Sequence, residues 1–187
     1  MDRSPTPSPG FSLLEALLAL CLGLGLCAVI LQTLLVDGRN LERLVRRQRE
    51  GGLQRRTLDL VRADLLRAHR LDPAGGGGAA CSLSGRTPVL QVRTAEGPIT
   101  YSHGAAPSAI WRGRVLMRCG PAFGLHGEPS GGAAQNRVLI DALPVDGVAA
   151  EPVAPGRLRL RLTQEFVLPE GTAQRIETVR ELAAPPG

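Results

Sequence analysis

The chain has 187 residues, the length of one ordinary domain plus an appendage, which excludes two full domains. Hydrophobic residues make up 43% but aromatics only 3%, so few large rings are present to fill a deep core, and a compact, richly packed enzyme is disfavoured. The net charge of +5 comes from 22 arginines, with no lysine, against 17 acidic residues. An all-arginine excess of this kind reads as coding bias and does not by itself imply nucleic-acid binding.

Residues 1–10 form a short leader rich in Pro and Ser, a composition unsuited to a helix. The next stretch, 11–36, has only Ser12, Glu15, Gln32 and Thr33 as polar members, and 16–31 has none. As a helix this run would be about 40 Å long, more than enough to cross a bilayer. Gly23 and Gly25 weaken it locally by about 1 kcal/mol each. A cleaved secretory signal fits poorly because the apolar run is too long, and its best small-residue exit, Leu26-Cys27-Ala28, carries a bulky Leu. A lipoprotein signal fits no better, since Leu20 precedes Cys21 and Leu26 precedes Cys27.

Glu15 is the anomaly in this segment. An ionised carboxylate in the apolar run costs about 2.5–3.5 kcal/mol on insertion scales and calls for a partner. The nearest basic side chain, Arg3, lies in the leader.

The run Gly10-Phe11-Ser12-Leu13-Leu14-Glu15, behind a short polar leader and ahead of a long apolar helix, resembles the processing signal of type IV prepilins and type II secretion pseudopilins. The resemblance implies cleavage after Gly10 by a prepilin peptidase and N-methylation of Phe11. It also implies a role for Glu15 in assembly with other pilin or pseudopilin subunits on an inner-membrane assembly platform. Cleavage would create a charged amine on Phe11, four residues from Glu15 and on the same helix face. Pairing with such an amine, within the chain or on a neighbouring subunit, would offset much of the cost of the buried charge. The implied topology is a single inner-membrane pass with the head in the periplasm, although Arg39, Arg43, Arg46 and Arg47 alone would favour the opposite orientation on the positive-inside rule.

Residues 37–70 carry ten Arg and five acidic residues. Leu41, Leu44 and Val45, then Leu58, Val61 and Leu65, have the spacing of a one-sided helix. An amphipathic helix is expected over 37–72, with Glu42 four residues ahead of Arg46 as an ion pair. Gly51-Gly52 should interrupt it as a bend, a frayed turn or a junction of two helices, since the pair costs about 2 kcal/mol relative to Ala. Most of the charge reads as a solvated face. Nucleic acid is not expected as a partner, because no aromatic residue is interleaved and acidic residues break the run.

The head is expected over 73–187, opening with a Gly-rich connection at 74–80. Strands are expected at 89–94 and 99–102, joined by the turn 95–98, and at 114–119 and 137–142 around a Gly-rich loop at 120–132. The clearest alternation is Leu158, Leu160 and Leu162 against Arg157, Arg159 and Arg161, a strand with one face on a core. It continues to Leu168, turns through Pro169-Glu170-Gly171 and returns as a strand over 173–182. The expected fold class is α+β, a long N-terminal helix packed by its second half on one antiparallel sheet of about four to six strands. That arrangement is similar to the pilin-like fold.

Cys21 and Cys27 read as small apolar residues of the membrane helix. Cys81 and Cys119 belong to the head, which the implied topology exports to an oxidising compartment, so a disulfide is expected between them. Closing a loop of about 38 residues would contribute on the order of 4 kcal/mol. His69, His103 and His126 stand at no metal-ligand spacing, so neither metal nor cofactor is expected. No nucleophile, phosphate-loop or dinucleotide motif is present, and the head is read as non-enzymatic. Trp111 reads as core material, with a recognition anchor as the alternative. The expected function is a minor pilin or pseudopilin-like structural subunit. The rival is an uncleaved bitopic protein whose periplasmic head binds a ligand or partner.

Overall fold

The computed structural model describes residues 12–72, 78–123, 132–167 and 171–184. The chain divides into two compact units, Met1–Arg49 and Glu50–Gly187. One helix, α1 (Leu13–Leu66), contributes to both.

In the first unit, Leu13–Leu35 is a 23-residue apolar helical segment. At 1.5 Å per residue it reaches about 35 Å, against a hydrocarbon core of about 30 Å, so it is long enough to span a bilayer. Its large apolar side chains are exposed along the whole length, from Leu13 to Leu35. Leu41, Leu44 and Val45 are exposed as well. The expected pair of Glu42 with Arg46 lies outside the described side chains.

The second unit begins with the last part of α1, which runs through Gly51 and Gly52 without interruption. The expected frayed turn or helix junction is therefore corrected. Polar side chains on either side, Glu50 and Gln54, are tied to the sheets, and these tertiary bonds offset the weak helix propensity of the glycines. The helix ends at Leu66 rather than at 72, and Arg70–Asp72 instead forms β1.

The remaining strands are β2 (Thr87–Thr94), β3 (Gly97–Ala105), β4 (Arg114–Gly120), β5 (Gln135–Leu143), β6 (Val148–Ala154), β7 (Arg157–Val167) and β8 (Ala173–Ala183). All neighbouring pairs are antiparallel. The fold class is α+β, as expected, but the strands make two sheets instead of one. A five-stranded sheet has the order β1-β2-β3-β4-β5, and a three-stranded sheet the order β6-β7-β8. The change of sheet falls between Leu143 and Gly147. Pro144 lacks an amide donor there, and the Gly147 N–H turns back to the Pro144 carbonyl at 3.1 Å. A Cβ on Gly147 would come within 2.9 Å of Leu143 Cβ, so only glycine fits this corner.

The hairpin between β2 and β3 turns on Ala95 and Glu96, with Thr94 opposite Gly97. Proline sits where the ladder tolerates it: Pro88 beside a register shift in β2, and Pro152 in the edge strand β6. In β7, Leu158, Leu160 and Leu162 are buried while Arg157 and Arg159 are exposed, as the alternation predicts. The core joins Leu58, Val61 and Leu65 of the helix to Leu90, Val92 and Tyr101 of the larger sheet and to the β7 leucines of the smaller.

Candidate assembly site and buried ion clusters

At the start of α1, Glu15 has a local partner that the reading of it as an isolated charge overlooked. The Ser12 hydroxyl accepts from the Glu15 N–H at 3.2 Å, and the Glu15 carboxylate accepts from the Ser12 N–H at 3.2 Å and its hydroxyl at 3.3 Å. This is a capping box, in which Ser-x-x-Glu satisfies two amides left open at a helix start. The signal was legible in Ser12-Leu13-Leu14-Glu15. The bonds are polar but include no cation, so the net charge at this end of the helix stays uncompensated by them. Gly10 and Phe11 lie outside the described residues. Cys21 and Cys27 are free and exposed on the apolar helix.

In the second unit, Cys81 and Cys119 form the expected disulfide, with Cα atoms 5.9 Å apart. Cys119 lies on β4 opposite Thr100. Its face of the sheet is the one away from α1, because the preceding residue, Arg118, reaches the helix. Two further bonds hold the segment before β2 to this back face: Gln91 Nε2 donates to the Gly78 carbonyl at 3.1 Å, and Asn136 Nδ2 to the Ser82 carbonyl at 3.0 Å.

On the helix side, Glu50, Gln54, Thr57 and Asp64 of α1 are polar and buried. Apolar periodicity gave no sign of them. Asp64 accepts from Arg118 Nε at 2.7 Å, Arg118 Nη2 at 3.2 Å, the Tyr101 hydroxyl at 2.5 Å and Arg67 Nη2 at 2.5 Å. Arg118 also donates to the Pro121 carbonyl at 2.8 Å, and its guanidinium lies 4.6 Å from the Phe123 ring centroid. Burial, together with the Asp64 charge, pushes the Tyr101 phenol well above its ordinary range.

A second cluster fastens the segment before β4. Arg112 donates from its backbone N–H, Nε and Nη2 to Asp141, at 3.0–3.2 Å, and from Nη2 to Glu50 at 3.1 Å. Burial pushes the Asp141 carboxyl up, but the Arg112 bonds outweigh it and leave the group below its ordinary value. Gln54 donates to the Ile176 carbonyl at 3.2 Å and accepts from the Thr178 hydroxyl at 2.6 Å.

These clusters are ion pairs with the character of fasteners, with Arg67 Nε left buried and without a hydrogen-bond partner. Among the described residues no group of three or more His, Cys, Asp or Glu side chains is arranged to hold a metal ion. His103 is buried, and burial followed by the Arg114 charge lowers its pKa. Trp111 departs from the reading as core material: it is half-buried at the side of a groove on the back face of the larger sheet. His126 lies outside the described residues. No protein-family model, no curated protein and no solved structure matches the chain.

Proposed function

We propose that the chain is a minor pilin or pseudopilin-like structural subunit, cut after Gly10 by a prepilin peptidase, N-methylated at Phe11 and assembled by helix packing into a type IV pilus or type II secretion pseudopilus. The observation that carries this reading is Gly10-Phe11-x-x-x-Glu15 running into the start of a 23-residue apolar helix, Leu13–Leu35, whose side chains are exposed in the single chain. So large an apolar surface needs a cover, first lipid and then the helices of other subunits. Glu15, at the start of that surface, would meet a terminal amine exposed by cleavage. An α+β head stapled by a disulfide is compatible with export to the periplasm. In this reading the head is structural and non-enzymatic.

Co-expression with a prepilin peptidase tests the proposal. Gly10→Ala should abolish trimming, whereas Glu15→Ala should be trimmed and fail to assemble. A wild-type chain that keeps its initiator methionine in the presence of an active peptidase would overturn it.

The second reading, an uncleaved bitopic protein with a periplasmic binding head, is favoured by one specific observation. The capping box gives Glu15 a reason to be present without any terminal amine. N-terminal sequencing separates the two, since only the first gives a mature chain beginning with N-methyl-Phe11.

A further inference from the structure

The back face of the five-stranded sheet carries a groove of about 650 Å³, within the range of about 300–1,000 Å³ usual for small-ligand sites. Its walls are mostly apolar, with Trp111, Pro107, Met117 and Val138 among the lining residues, and among the described residues no acidic one lines it. Arg86 also lines it. Arg86 is only 7% exposed, its Nε has no hydrogen-bond partner, and among the described residues no carboxylate pairs with it.

That arrangement differs from that of Arg118, the other buried arginine among the described residues, which reaches the Asp64 carboxylate, as a guanidinium removed from water requires. Arg86 is nonetheless held in a fitted seat. A Cβ on Gly104 would stand 2.8 Å from Arg86 Cγ and 3.0 Å from its Cα, so the arginine stem packs where only glycine leaves room. Trp111 is half-buried next to Arg112, which is clamped to Asp141 and Glu50. A cation without a carboxylate partner among the described residues and a half-buried indole thus share one concave surface.

We infer that this groove is a binding site for a small organic carboxylate, the acid group meeting the Arg86 guanidinium and an apolar body lying against Trp111, Met117 and Val138. The inference is independent of the filament proposal: it concerns the head alone and holds for either reading of the N-terminus. A guanidinium matches a carboxylate with charge-assisted bonds about twice as strong as neutral ones, and the apolar walls add affinity only for ligands carrying a hydrophobic group.

Trp111 is the only tryptophan in the chain, so its fluorescence reports occupancy directly. The full chain in detergent micelles is titrated with phenylacetate, with its neutral isostere phenylacetamide and with acetate. A saturable change is expected with phenylacetate, at least about tenfold weaker binding with phenylacetamide, and little response to acetate. Arg86→Gln should weaken phenylacetate at least about tenfold. Because a change at a buried site can disturb folding, Ser84→Asp provides a second variant. Ser84 is exposed, lines the same groove and has φ 49°, a backbone that Asp tolerates. Its added carboxylate should also weaken phenylacetate without unfolding the head. The inference is overturned if phenylacetate gives no saturable change, if phenylacetamide binds as well, or if folded Arg86→Gln and Ser84→Asp proteins both bind phenylacetate like wild type.

Discussion

Asp64 on α1 and Arg118 on β4 are joined by two hydrogen bonds in a site where the carboxylate has no solvent exposure and the guanidinium almost none. The pair attaches the helix to the larger sheet, and each partner makes the other's burial tolerable. Asp64→Ala would strand Arg118 as an uncompensated buried cation and is expected to cost about 3–5 kcal/mol of stability. Replacing both residues, as Asp64→Leu with Arg118→Met, should cost less than the single change. Chemical denaturation of the three proteins measures the difference. A double variant weaker than Asp64→Ala would refute the account.

Tyr101 is the only tyrosine in the chain and donates to the same carboxylate. Its folded pKa lies above the unfolded value of about 10. The phenol therefore contributes stability that is fully present below about pH 10 and lost as pH rises from there towards the folded pKa. Tyrosinate absorbance should appear only together with loss of structure in an alkaline titration. Ionisation of Tyr101 in a chain that retains its circular dichroism would contradict this.

Reduction of the Cys81–Cys119 bridge, or Cys119→Ser with Cys81→Ser, should lower stability by about 2–4 kcal/mol, given a sequence separation of 38 residues. The loss should be felt first in the segment before β2, which the bridge holds to the back of the sheet. Hydrogen exchange of residues 78–86 in the reduced protein, compared with the strands, is the measurement.

Glu15 invites a sharper substitution than alanine. Glutamine preserves the capping box but removes the charge. If the carboxylate serves assembly, Glu15→Gln should fail to incorporate into filaments as completely as Glu15→Ala. If the residue serves only as a cap, Glu15→Gln should assemble normally and Glu15→Ala should lose about 1 kcal/mol of helix stability. Incorporation assays on the trimmed variants distinguish these outcomes.

The parts of the fold that were legible in the sequence are those set by simple periodicity. Leu158, Leu160 and Leu162 alternate with arginine and mark β7 unaided, and Leu58, Val61 and Leu65 mark the buried face of the helix. β6 was missed because Ala149, Ala150 and Pro152 carry little strand propensity, and its pairing with β7 supplies what they lack. β1 was missed because three residues are too few for any pattern. Glu50, Gln54 and Asp64 look like surface residues in a linear reading. Their partners, Arg112, Thr178 and Arg118, come from distant parts of the chain that only folding brings near. The groove was hidden for the same reason, since Arg86 and Trp111 are 25 positions apart and neither belongs to a motif.

β8 closes the smaller sheet with 11 residues and so offers a long open margin to any other strand. Two features discourage fusion with a second molecule there. Gln54 already occupies the Ile176 carbonyl, and the solvent face carries Arg175, Glu177 and Glu181, engaged in pairs with one another and with β7. An incoming strand would have to displace the Gln54 side chain and lie beside a row of charged side chains, so this margin is a poor template for the strand of a second copy.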